Sequence, residues 1–127
     1  FPRLQMSPGV ASSIPVFVGG RTKAALRRVA RLGGGWIPDL LSRQELAEGI
    51  AEIRAQRREL GRDDEPLEVI GAPKDGYDLD TFRHMEDLGV THLWTIPWLF
   101  HGGDTSSLEV QRAGLERFAE EVIVKMR

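Results

Sequence analysis

Ile14-Pro15-Val16-Phe17-Val18-Gly19-Gly20-Arg21-Thr22 opens the first folded unit of the chain. Its first five positions are β-branched or aromatic apart from Pro15, the composition of a buried strand. Pro15 sits near the strand start, where a missing N–H is tolerated. Gly19-Gly20 turns the chain, and residues 22–32 then carry helical spacing. Leu26, Val29 and Ala30 share one face, with Arg27, Arg28 and Arg31 outside. Gly33-Gly34-Gly35 stops that helix, and Trp36-Ile37 is a short second strand closed by Pro38.

Working outward, the same unit recurs. Ser42 and Glu45 form a capping box for a helix whose apolar face is Leu46, Ile50, Ile53 and Leu60, ending at Gly61. Leu67-Glu68-Val69-Ile70 is a third strand. Asp78 or Asp80 caps a short helix bearing Phe82, Met85 and Leu88, with Gly89 as its stop. His92-Leu93-Trp94-Thr95-Ile96 is a fourth strand. Ser106 and Glu109 make a second capping box before a stripe of Leu108, Leu115, Phe118, Ala119, Val122 and Met126.

This βαβαβαβα alternation predicts an α/β fold with a parallel sheet and right-handed crossovers. It is either an open sheet or half of a TIM-like (β/α)8 barrel. Residues 1–13 read as a lead-in segment and residues 14–127 as four βα units of a single domain. A half barrel leaves strand edges and an apolar inner face uncovered, which predicts pairing with a second half or with another copy of the chain.

Composition narrows the function. The 127 residues carry 17 basic and 19 acidic side chains, net charge -2, so no global field draws nucleic acid or anionic membrane. No cysteine is present, which removes disulfides, thiolate metal sites and a Cys nucleophile, and fits a reducing cytoplasm. No apolar run reaches the roughly 20 residues of a membrane span. Phe1-Pro2-Arg3-Leu4-Gln5 lacks the pattern of a signal peptide, and Phe1 reads as an internal position of a longer parent.

On local pattern, residues 18–22 are the best ligand candidate. Two glycines allow close backbone approach, the following helix presents free N–H groups and a positive dipole end, and Arg21 and Thr22 can add phosphate contacts. The loop lies at the C-terminal end of a strand, where barrel enzymes place their sites. A plain tight turn with a Thr cap accounts for the same residues.

The run from Ile14 to Pro38 resembles the hallmark segment of luciferase-like monooxygenases: an apolar strand, Gly-Gly, a polar pair, an Ala- and Arg-rich helix, then Gly-x-Gly-Trp. Gly34 stands where that family usually has Asp. Leu41-Ser42 with Glu45-Leu46, the run from Asp87 to Leu93, and the run from Leu115 to Ile123 are similar to later parts of the family, in the same order. The resemblance implies the last four units of a barrel that binds FMN or a deazaflavin coenzyme of the 8-hydroxy-5-deazaflavin type, acts on a small organic substrate and transfers a hydride or inserts oxygen. It further implies that Val18, Gly19, Gly20, Arg21 and Thr22 hold the cofactor's phosphate end. The family's acid/base residues lie mainly in its first strands, so the resemblance places none of them here, and this chain alone is expected to be inactive.

The remaining candidates are single residues. His101 follows the fourth strand beside Trp98, Phe100 and Asp104 and is the candidate catalytic residue, against a subunit contact or a plain loop position; Trp98 is the candidate substrate-pocket residue, against interface packing. His84 reads as a surface residue and His92 as lying at the inert face. Trp36 and Trp94 read as packing. Arg54, Arg57, Arg58 and Arg62 alternate with acidic residues and read as a solvated helix face. No histidine pair has metal-ligand spacing. Two other readings stand beside the enzyme. One is a non-catalytic half-barrel that homodimerises and binds a phosphorylated ligand. The other is an open α/β domain in which Gly19-Gly20 is only a turn.

Overall fold

The structure is a computed structural model and describes residues 9, 12 and 14–126. The lead-in expected over residues 1–13 lies almost wholly outside the described residues. Four strands alternate with helices: β1 (Phe17–Gly19), α1 (Lys23–Leu32), β2 (Gly35–Ile37), α2 (Arg43–Glu59), β3 (Glu68–Gly71), α3 (Leu79–Leu88), β4 (His92–Leu93) and α4 (Leu108–Phe118). The strands pair in parallel in the order β1-β2-β3-β4. An unbroken sequential order is that of a barrel wall; a doubly wound open sheet reverses direction at a switch point. The chain has the architecture of half a TIM-like barrel.

Register decides which side chains meet. Val18, Trp36 and Val69 stand side by side and face the helices, where Trp36 and Val69 join Leu46, Ile50, Ile53, Phe82 and Met85 in the core. Phe17, Gly35 and Glu68 stand in register on the opposite face. The Phe17 ring covers Gly35 so closely that a Cβ there would lie within van der Waals overlap of it.

The helices start where local capping predicts. Thr22 accepts from Ala25 N at 3.2 Å, the Ser42–Glu45 box is closed in both directions, and Asp78, rather than Asp80, accepts from Thr81 N at 2.8 Å. Gly89 ends α3 at φ 99°, a left-handed conformation that suits glycine.

Four expectations are corrected. The fourth strand is two residues long, not five, and the chain turns at Pro97–Phe100 into a short 3₁₀ segment. The second capping box does not form: Asp104 takes the Ser106 N–H and hydroxyl, at 3.0 and 2.6 Å, so Ser107 precedes α4 without a side-chain cap. Past α4 the helix widens into a π segment at Ala119–Ile123 before α5 (Val124–Met126). That insertion turns the helix phase by about 100°. Val122 is therefore buried while Leu108 and Leu115 are 81% and 50% exposed. Finally, Leu60 is exposed, and Arg57 continues the buried stripe of Leu46, Ile50 and Ile53 at 2% exposure instead of lying on a solvated face.

Candidate functional site

The loops that leave the C-terminal ends of the strands define the face of interest. At the first of them, Gly19 closes β1 and Gly20 adopts φ 101°, a region closed to most side chains. Gly20 is held from both sides: its N–H donates to Ile37 O at 3.3 Å, and its carbonyl accepts from Trp36 Nε1 at 2.7 Å. Trp36 thus serves packing, as expected, and fixes this loop as well.

The backbone beyond Gly20 is available. Among the described residues no acceptor takes the N–H of Arg21, Thr22, Lys23 or Ala24, and α1 carries no acidic residue in its first turn. Within its own segment the positive end of the helix dipole is accompanied by the exposed cations Arg21 and Lys23 and by no carboxylate. Thr22 spends one oxygen lone pair on Ala25 N, and its O–H remains available to donate to an anion. Gly19 differs from Gly20 in kind. A Cβ on Gly19 would meet nothing closer than Ile37 O at 3.8 Å, so the fold itself does not demand glycine there.

A cleft of about 360 Å³ runs beside this loop between α1 and α2. Arg21 and Lys23 line one side, and Glu45, Glu48 and Glu52 the other. Hydrogen bonding to Lys74, then to the backbone and hydroxyl of Ser42, holds the Glu45 carboxyl down at about 2. That acidic wall repels anions, which leaves the exposed backbone ahead of α1, rather than the cleft, as the anion-compatible surface.

A second cavity, of about 220 Å³, opens between the loops after β2, β3 and β4. It is apolar, lined among others by Leu40, Tyr77, Trp94, Ile96 and Phe100. Tyr77 and Phe100 carry no motif in the sequence beyond following a strand, and Ile96 reads there as the last residue of the fourth strand. Trp94, expected to pack, is 56% exposed and lines this cavity, because β4 ends before it.

Trp98 and His101 share a different cavity, over α4, which also includes Val110 and Gly114. The Trp98 backbone rests directly on Gly114, where a Cβ would lie 2.6 Å from Trp98 Cα. His101 is exposed and meets the Phe100 ring edge-on at 6.5 Å. Asp104 is engaged by Ser106 and makes no hydrogen bond to His101 among the described residues. His84 is exposed on α3, and His92 pairs with Glu68 at 3.2 Å at the N-terminal ends of β3 and β4. The structure therefore places Gly20, Arg21 and Thr22 in the loop that follows Val18 and Gly19 of β1, and Trp98 and His101 together elsewhere. Among the described residues no three His, Asp or Glu side chains converge as a metal site, and no helix is long and apolar enough to cross a membrane.

The sequence profile of the luciferase-like monooxygenases matches residues 1–74, which include β1, the glycine loop and most of the next two units. The chain belongs to the luciferase-like monooxygenase family. An uncharacterized protein of Mycobacterium bovis and uncharacterized proteins from two strains of Mycobacterium tuberculosis are each 37% identical to it over 128 aligned positions. The alignments take in 98% of this chain but 43% of each relative, so the chain spans less than half the length of the curated relatives it matches. No solved structure matches it. This luciferase-like chain keeps an open position at Gly34, where a Cβ would touch nothing within 4 Å, so the usual Asp would fit there without strain.

Proposed function

We propose that this chain is the C-terminal portion of a longer flavin- or deazaflavin-dependent oxidoreductase of the cytoplasm, acting by hydride transfer or monooxygenation on a small organic substrate. Residues 18–22 anchor the phosphate end of the cofactor, FMN or an 8-hydroxy-5-deazaflavin coenzyme. The observation that carries this reading is the pairing of a glycine the fold does not need, Gly19, with uncommitted N–H groups at the start of α1, whose first turn holds no acidic residue. A bound flavin or deazaflavin ring supplies the redox chemistry. The chain's own residues do three things: Gly19 admits the ligand, residues 21–24 donate to phosphate oxygens, and Trp36 keeps the Gly20 turn in shape. Groups that face the reactive ring edge come mainly from outside this chain, so the isolated chain is expected to show no turnover, and reductase activity in it would defeat that statement.

The test is a fluorescence titration of the full-length protein with FMN and with the deazaflavin coenzyme. Gly19→Ala should weaken binding of one of them at least about tenfold without lowering the urea midpoint. Unaltered affinity in a folded Gly19→Ala protein would remove the loop from the cofactor site.

The alternative, a non-catalytic half-barrel that homodimerises and binds a phosphorylated ligand, draws on the exposed Ile14, Val16 and Trp94. Light scattering separates the two, since a concentration-independent monomer of this chain is incompatible with that alternative.

A further inference from the structure

Phosphate anchoring at the first loop leaves the apolar cavity of the other three loops without a role. One of its walls is a flat aromatic pair: the Tyr77 and Phe100 rings are stacked with centroids 4.0 Å apart and planes 21° from parallel. Trp94 and Ile96 line it while remaining 56% and 39% exposed. Large apolar and aromatic side chains gathered around a concavity are the usual lining of a small-molecule site. No Lys, Arg or His lines the cavity, and its one charge is the Asp39 carboxylate, which accepts from Leu40 N at 2.8 Å. An anion finds no partner there.

Thr95 gives the cavity a polar feature. It contributes to the lining, yet its Oγ1 is buried with no hydrogen-bond partner among the described residues. A buried hydroxyl without a partner is costly, and a ligand atom that meets it removes the cost.

We propose that this cavity binds a neutral, flat ring of the organic substrate and that a hydrogen-bonding group on that ring meets Thr95. This rests on the oxidoreductase reading and extends it by naming the substrate class. Volume decides how much of a molecule enters. Sites for whole drug-sized ligands begin near about 300 Å³, and the cavity of about 220 Å³ that this chain encloses has room for a single ring. Stacking against the Tyr77–Phe100 pair and contact with Trp94 orient the ring, and Thr95 is a positioning residue that sets its rotation.

The test uses the full-length protein and the nuclear magnetic resonance signal of the Trp94 indole N–H, assigned by its loss in Trp94→Phe. Toluene, benzyl alcohol and benzoate are titrated in turn. Benzyl alcohol should shift the Trp94 signal with about fivefold higher affinity than toluene, one hydrogen bond's worth, and benzoate should not shift it. Thr95→Val should erase the preference for benzyl alcohol and leave toluene unchanged, and Thr95→Ser should restore it. The proposal is overturned if neither neutral ring moves Trp94, if benzoate binds as well as benzyl alcohol, or if the preference persists in Thr95→Val. The ranking in the unmodified protein decides the matter even if Thr95→Val does not fold. FMN and the deazaflavin coenzyme are titrated into the same sample. Cofactor binding without ring binding overturns the cavity proposal alone, whereas absence of cofactor binding overturns the oxidoreductase reading beneath it.

Discussion

Trp36 Nε1 donates a 2.7 Å hydrogen bond to the carbonyl of Gly20, joining the second strand to the loop ahead of α1. The far edge of the same indole lies on Gly49 of α2, where an added Cβ would overlap Cη2. One buried side chain therefore spans from the glycine loop to the second helix.

Trp36→Phe should lower stability by about 1–3 kcal/mol, through lost contacts and the unpaired Gly20 carbonyl. Gly49→Ala should cost about 1–3 kcal/mol by overpacking against the indole. In a double-mutant cycle by urea denaturation the two should couple by at least about 0.5 kcal/mol, because the phenyl ring vacates the space that the alanine methyl needs. Strict additivity would mean that the indole is free to shift.

The two loop glycines should behave oppositely in thermal denaturation. Gly20→Ala places a side chain at φ 101° with its Cβ 3.2 Å from Ala25 Cβ, and should cost about 1–2 kcal/mol. Gly19→Ala meets only ordinary contacts and should be neutral or stabilising by about 0.5 kcal/mol, since alanine restricts the unfolded chain. Equal losses at both positions would contradict the geometry.

Acid should weaken the fold through Glu45. Its folded value, about 2, lies below that of the unfolded chain, about 4.3 for a free glutamate. A depressed carboxylate stabilises fully above the unfolded value, and that contribution disappears as pH falls through the folded one. The urea midpoint of Glu45→Gln should thus lie below that of the parent at pH 7 and converge with it near pH 2. Glu65, Asp78 and Asp104 are depressed in the same direction by hydrogen bonds from Arg62, Thr81 and Ser106, so the variant should reduce the acid loss without abolishing it. High salt should shrink the difference, because the Glu45–Lys74 pair is partly exposed.

Arg57 should be replaceable. Its Nη2 donates to Pro66 O at 3.2 Å and lies 3.6 Å from Glu65, but Nε and Nη1 have no partner among the described residues. Burial, and then the Arg62 charge, pull its pKa down. Arg57→Met keeps the stem and removes the unpaired donors, while Glu65 retains Arg62. Stability should be unchanged or rise by about 1 kcal/mol. A clear fall in the urea midpoint would show that the guanidinium is better satisfied than its protein contacts indicate.

What could be read in the sequence follows the range of the forces involved. The caps at Thr22, Ser42 and Asp78 and the stop at Gly89 were legible because each depends on groups within a few residues. The Ser106–Glu109 box failed at the same range, because the sequence did not show that Asp104 would win Ser106. The extent of β4 was not legible, since a strand ends where its neighbour stops pairing, and β3 ends at Gly71 against Leu93. Leu60 and Arg57 exchanged burial because the loop over residues 62–66 supplies a carbonyl and a carboxylate that receive the guanidinium.

The sequence by itself determined the alternation of strands and helices, the family, and the glycine loop, because these rest on local periodicity, capping and one contiguous run of residues. Only the tertiary structure decided that the fold needs Gly20 but not Gly19. It also decided that Trp36 holds the loop and that Leu40, Tyr77, Trp94 and Phe100 meet around one cavity. Those facts depend on register and on three loops far apart in the chain, and contact between distant residues leaves no periodic trace in the chain.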